Sequence, residues 1–194
     1  RVRLVVLTNV DLDHVETIGP GLRDIAREKA AAFAPGVPAV TAANGAALDV
    51  VRTVAAERGA VLHEVEPLRP GESTRAANER LADRALELLG VPAAARAAAL
   101  AAPPLPGRGE RFMFDAREVV LDGAHDPAAA ARLGQEVGEG FTLLFGALPR
   151  KQGSATLAVL EPRSSAVVVT EASPGEGADH LAGDGREVVA DPAA

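Results

Sequence analysis

VPAVTAANGAALDVVRTVAAERGAVLHEV, Val37 to Val65, reads as strand, helix, strand. The run 37-41 is strand-like, 46-58 is an alanine-rich helical stretch, and 60-65 is strand-like again. A strand that returns to its sheet through a helix forms a crossover unit, which sets the two strands parallel. The same rhythm precedes it, with a strand-like 3-9 and a helix-like 21-34. The fold class is therefore α/β, with a largely parallel sheet.

Downstream, a longer helical segment spans 74-89. It opens at Ser73-Thr74, which are capping residue types, and stops at Gly90 with Pro92 soon after. Leu81, Ala85, Leu88 and Leu89 share one face of it. Alanine-rich 93-102 then runs into PPLPGRGE, Pro103 to Glu110, where the prolines disfavour continued helix. A domain boundary is expected near 103-110, giving domains 1-104 and 105-194. The pattern restarts with strand-like 111-115 and 118-122, helix-like 127-138, strand-like 141-146, helix-like 153-160 and strand-like 165-170. Ser173 to Gly185 reads as loop, followed by a final apolar trio, Val188 to Ala190.

Composition narrows the function classes. With 47% hydrophobic and 24% charged residues, the chain can bury one large core or two small ones. Acidic residues outnumber basic ones by 27 to 20 and there is no basic run, so no nucleic-acid partner is expected. No stretch of about 18 apolar residues exists, which excludes a membrane-spanning helix. Cysteine is absent, so disulfides, thiolate metal sites and a cysteine nucleophile are excluded as well. The chain opens Arg-Val-Arg-Leu and its single methionine is Met113, so it is expected to be part of something longer.

Five places carry chemistry. TNVDLDHVETIG, Thr8 to Gly19, follows the apolar run Leu4 to Leu7 and gathers Asp11, Asp13, His14 and Glu16 at a strand end, where open α/β sheets bind ligands. These groups either form a solvated turn or face a divalent cation, since imidazole and carboxylate both coordinate Mg2+. Lys29 is one of only two lysines, with Lys151, among 18 arginines. Its amine can lose a proton and react, for instance with carbon dioxide, whereas guanidinium cannot; a salt bridge with Glu28 or a neighbour is the alternative. DGAHDP, Asp122 to Pro127, ends a strand and opens a helix. Asp122 there can accept from ribose hydroxyls and His125 can bond a phosphate or carboxylate; the alternative is a simple helix-initiating turn capped by Asp126. Arg108 in PGRGE can fork onto a phosphate, and Asn78 has the donor and acceptor needed at an adenine edge. His63 and His180 have no partner evident in the sequence. Phe112/Phe114 and Phe141/Phe145 lie in strand-like runs and are expected in the core.

Taken in order, TNVDLDHVETIG, IAREKAAAFAPGVPAV, Asn78, PGR, LDGAHDP and FGAL are similar to the folylpolyglutamate synthase and dihydrofolate synthase family. That family lies in the Mur-ligase superfamily of ATP-dependent amide-forming enzymes, and the resemblance covers most of residues 4-172. It implies part of a central ATPase domain followed by a Rossmann-like C-terminal domain, with catalysis in the cleft between them. It also implies ATP and Mg2+ as cofactors, folate or dihydropteroate and L-glutamate as substrates, an acyl-phosphate intermediate, and a cytoplasmic enzyme. Carried over by position, His14 is the Mg2+ ligand and Lys29 the lysine that is carbamylated. Asn78 is the adenine contact, Arg108 the arginine on the ATP phosphates, Asp122 the nucleotide-contacting aspartate, and His125 the histidine near the incoming glutamate.

Departures from the family pattern qualify this. The family's phosphate-binding loop ends in Lys-Ser or Lys-Thr after glycines, and this chain contains no Gly-Lys pair. Asp126 replaces the asparagine of DGAHNP, PRKQ at 149-152 replaces DKD after FGAL, and the family's terminal serine motif is absent. The chain alone is therefore expected to be an inactive part of a ligase, with the phosphate loop supplied by a missing N-terminal segment or a partner chain. The alternatives are a degenerate, nucleotide-binding remnant or partner subunit, and a Mur-type amide ligase with another acceptor.

Overall fold

The computed structural model describes residues 2-11, 18-19, 21-69, 71-103, 105-149, 152-173, 175 and 177-189. His14, Lys151 and Ala190 lie outside them. The chain divides into two compact units, Arg1–Pro103 and Pro104–Ala194.

In the first unit, strands β1 (Val5–Leu7), β2 (Pro38–Thr41) and β3 (Val61–Glu64) form a parallel sheet in the order β1-β2-β3. Helix α1 (Leu22–Ala30) connects β1 to β2, and α2 (Gly45–Arg58) connects β2 to β3. The crossover read from Val37 to Val65 is thus present. The central strand shows why PAVT is apolar throughout. Successive side chains of a strand point to opposite faces. Ala39 joins the core that α1 and α2 bury with Ile25, Ala26, Val51 and Val54, while Val40 joins Leu81 and Ala85 of α3 (Thr74–Leu88) on the other face. Both faces are covered, as parallel sheets require.

Helix ends follow local chemistry. Gly59 terminates α2 in the left-handed region (φ 65°), donating to Ala55 and Ala56 carbonyls. Ser73 caps α3 by accepting from the Ala76 amide at 3.2 Å. Helix α4 (Ala93–Leu100) is held to α3 by Arg96, which donates to Asp83 at 2.7 Å. Arg75 of α3 in turn closes the end of α4 through the Leu100 and Ala102 carbonyls.

The second unit opens with an antiparallel hairpin, β4 (Glu110–Phe114) and β5 (Arg117–Leu121), turning at Asp115-Ala116. After α5 (Pro127–Val137), strands β6 (Phe141–Gly146), β7 (Ser164–Thr170) and β8 (Arg186–Val189) form a second parallel sheet in that order, with α6 (Gly153–Leu160) between β6 and β7. Its core joins Phe145, Ala147, Leu157, Val167, Val169 and Leu181.

Three expectations change here. The loop read from Ser173 to Gly185 contains a 3-10 turn, Asp179–Leu181, whose Leu181 is completely buried, and β8 begins at Arg186 rather than at the apolar trio. Phe112 and Phe114 are in a strand as read, yet remain 42% and 67% exposed. Strand propensity selects aromatics without specifying what covers them, and a two-stranded hairpin provides no second layer. Both histidines without evident partners have them. Arg84 donates to His63 Nδ1 at 3.0 Å, and His180 Nε2 donates to the Ala147 carbonyl at 2.8 Å.

Candidate functional site

Two loops of the second unit meet at the open end of the β4–β5 hairpin. Glu110 opens β4 opposite Leu121, the last residue of β5, so the register sets Glu110 and Asp122 at the same end. Asp122 joins the loops. Its Oδ2 accepts from the Gly109 amide and its Oδ1 from the Ala124 amide, both at 2.8 Å. Glu110 Oε2 accepts from the Gly107 amide, also at 2.8 Å.

Between these two carboxylate contacts stands Arg108. Its amide donates to the Leu105 carbonyl at 3.2 Å, so three successive amides of the turn, 107 to 109, are all engaged. Gly107 and Gly109 have φ of 69° and 63°, which a side chain would resist. Arg108 itself is exposed, and its guanidinium lies over Gly123: a Cβ there would stand 3.2 Å from Nη1 and 3.6 Å from Cζ. No described residue accepts from the guanidinium, which leaves its donors available to an anion.

His125 completes the group. Its Nδ1 lies 2.9 Å from the Gly123 carbonyl, and because a carbonyl only accepts, Nδ1 carries the proton. In the neutral ring Nε2 is then the acceptor. Asp126 caps α5 through Oδ1 and the Ala129 amide at 2.8 Å, with Pro127 in the first turn. The negative charge introduced by Asp126 therefore faces a helix N-terminus, where the backbone favours it.

The first unit holds the other predicted residues on separate elements. Lys29 is exposed in the last turn of α1, a position that suits a cation at a helix C-terminus, and its side-chain amine makes no hydrogen bond or ion pair with a described residue. Asn78 is exposed in the second turn of α3. Since α1 and α3 cover opposite faces of the sheet, helix packing does not join Lys29 to Asn78. His14 lies outside the described residues. Among the described residues no three His, Asp or Glu side chains converge on one point. None of the helices described is long and apolar enough to cross a membrane.

Neither the family models nor the curated proteins contain a match to the chain. Solved structures do match. A bifunctional folylpolyglutamate synthase/dihydrofolate synthase from Yersinia pestis, complexed with AMPPNP and Mn ion, superposes at a TM-score of 0.77 with 26% identity, covering 97% of this chain and 53% of that one. Mycobacterium tuberculosis folylpolyglutamate synthase, complexed with ADP and AMPPCP, gives 0.79 at 25% identity over 96% of this chain and 54% of its own. E. coli FolC, in complex with DHPP and ADP, gives 0.77 at 25% over 96% and 52%. The chain has the fold of the folylpolyglutamate/dihydrofolate synthases. It spans about half the length of the solved structures it matches.

Within this synthase fold, sequence reading missed Glu110, although PGRGE had been singled out for its arginine. The available signal was an acid directly after two glycines that flank an arginine. It also missed the charge network beside α3. There Glu72 receives Arg80 through both oxygens and the Arg69 amide, which together hold its carboxyl at about 2. The 66, 69, 72 spacing of Glu, Arg and Glu was the sign of it.

Proposed function

We propose that this chain carries nucleotide- and glutamate-handling residues of an ATP-dependent ligase that joins L-glutamate to dihydropteroate or folate through an acyl phosphate. One observation carries the reading: the synthase fold extends over nearly the whole chain, in structures solved with ATP analogues or ADP. ATP supplies the phosphoryl group and Mg2+ offsets its charge as the acyl phosphate forms. The residues fit that chemistry in part. Arg108 offers an unengaged guanidinium for phosphate, and His125 offers a fixed tautomer whose Nε2 can accept from the glutamate amine. Asp122 contacts the nucleotide with lone pairs that its two backbone bonds leave over, and Asn78 reads the adenine edge. His14 serves as the metal ligand, and Lys29 is the lysine that becomes carbamylated, from an exposed site open to carbon dioxide. The cradle for the β- and γ-phosphates is not among these residues, because the chain has no Gly-Lys pair.

Residues 1-194 alone are accordingly inactive, and ligation requires a Gly-rich loop ending in Lys-Ser or Lys-Thr from a further segment or partner chain. The experiment measures MgATP-dependent incorporation of glutamate into dihydropteroate by the chain alone and with such a segment. Activity only on addition supports the reading; activity of the chain alone overturns the claim of inactivity. Lack of rescue, together with MgATP binding by calorimetry, identifies a nucleotide-binding remnant, the reading that Asp126, standing where DGAHNP has asparagine, favours. Incorporation with an amino-acid-linked nucleotide instead of folate identifies a Mur-type ligase of another specificity.

A further inference from the structure

We propose that Glu110 and Asp122 are positioning residues for Arg108, forming a two-carboxylate clamp that holds the PGRG turn and sets the guanidinium over Gly123. The inference rests on the phosphate-binding role proposed above for Arg108, and adds Glu110 to it. The amides on either side of Arg108, those of Gly107 and Gly109, each donate to one of these carboxylates at 2.8 Å. A turn whose amides are all satisfied has no donors left with which to meet a ligand, so it presents only the arginine side chain.

The carboxylates are themselves fixed by regular structure. Glu110 is paired with Leu121 in the hairpin ladder, and Asp122 follows Leu121 directly. Asp122 is tied a second time through Ala124, so the turn carrying His125 and the turn carrying Arg108 share one anchor. Sites built on strand ends hold their geometry better than sites on free loops. Gly123 leaves the space that the guanidinium occupies, since a Cβ would stand 3.2 Å from Nη1. An arginine already ordered loses less freedom on binding, which is worth about two- to tenfold in affinity.

The test uses the 194-residue chain and five forms of it: wild type, Glu110→Gln, Glu110→Ala, Arg108→Ala and the double Glu110→Ala/Arg108→Ala. Amide exchange at Gly107 and Gly109 and the NMR order of the Arg108 Nε–H group report the clamp without any ligand. MgATP affinity by calorimetry reports its consequence, and unchanged Met113 and Glu118 shifts, farther along the ladder, show that the hairpin is intact. Glu110→Ala is expected to accelerate Gly107 exchange at least tenfold, to disorder the Arg108 side chain and to weaken MgATP two- to tenfold. Glu110→Gln, which keeps an acceptor oxygen, restores the order, and Glu110→Ala adds nothing once Arg108 is removed. The clamp is overturned if Glu110→Ala leaves Gly107 exchange and Arg108 order as in wild type, or weakens MgATP equally in the Arg108→Ala background. If wild type fails to bind MgATP even with the added Gly-rich segment, or Arg108→Ala binds it as wild type does, the nucleotide reading fails instead, and the exchange and order measurements still decide the clamp.

Discussion

Gly153 and Leu181 offer the sharpest test of how the second unit is built. Gly153 is the first residue of α6 and is buried. A Cβ added there would stand 2.8 Å from Leu181 Cδ2 and 3.1 Å from Ala147 Cβ, where carbon atoms prefer about 3.5–4.0 Å. Leu181 is completely buried among Phe145, Leu157 and Val169, so it has little room to retreat. Overpacking of this kind costs about 1–3 kcal/mol, and replacing a helical glycine by alanine returns about 0.5–1 kcal/mol. Gly153→Ala alone should therefore destabilise by roughly 0–2.5 kcal/mol. Leu181→Ala alone should cost about 2–5 kcal/mol, the usual range for emptying a buried leucine site. In the double variant the new methyl enters space that Leu181 has vacated. The clash with Leu181 disappears, the 3.1 Å approach to Ala147 Cβ and the helix gain remain, and the double should be more stable than the sum of singles by about 1–3 kcal/mol. Urea unfolding followed by far-ultraviolet circular dichroism gives the four stabilities; the chain has no Trp or Tyr for fluorescence. Amide exchange at Val169 assigns the change to this unit. Additivity within about 0.5 kcal/mol, or a stabilising Gly153→Ala single, would refute the packing described.

Further outcomes follow from the surface. Asp115 and Ala116 both have positive φ in the two-residue β4–β5 turn, and Ala116→Gly should stabilise the unit by about 0.5–1 kcal/mol in thermal unfolding, because alanine resists φ of 60°. The Glu72 carboxyl is lowered from 4.5 to about 2 by the Arg80 guanidinium and then by the Arg69 amide. A depressed acid contributes stability above its unfolded value and loses it as pH falls. Glu72→Gln should thus flatten the fall in stability between pH 4.5 and about 2; an unchanged acid limb would show that the network does not contribute. Phe112→Thr with Phe114→Thr should leave thermal stability nearly unchanged, since the two rings are 42% and 67% exposed; a marked fall in melting temperature would show that they are packed.

What was legible in the sequence was whatever depends on periodicity. Ala39 and Val40 alternate across a strand covered on both faces, and Leu81 and Ala85 repeat at helical spacing, so the parallel layers and their helices emerge from pattern alone. Leu181 shows the limit. It stands as a lone leucine between Ala178-Asp179-His180 and Ala182-Gly183, with no period to announce it, yet it fills the core of the second unit. Phe112 and Phe114 show the converse, because β-propensity is satisfied by a hairpin whether or not anything lies above it. Contacts between distant positions were also hidden. Arg84 with His63 and His180 with Ala147 depend on which helix faces which strand, a fact no local window contains.

The same distinction explains the candidate site. Arg108, Asp122 and His125 were visible as residue types at strand ends, but their division of labour was not. An aspartate after a strand invites comparison with acids that bind ribose, and that comparison treats its oxygens as free. Here each oxygen already accepts a backbone amide, one from the arginine's turn and one from the histidine's. Removing the Asp122 carboxylate would leave both amides without their acceptor and release the turns of Arg108 and His125 together. Loss of nucleotide binding in an Asp122→Ala chain would therefore not by itself show that Asp122 touches nucleotide. Asp122→Asn keeps one oxygen acceptor and replaces the other with a donor. It should disturb one of the two turns more than the other, and amide exchange at Gly109 and Ala124 separates that rearrangement from a lost ligand contact.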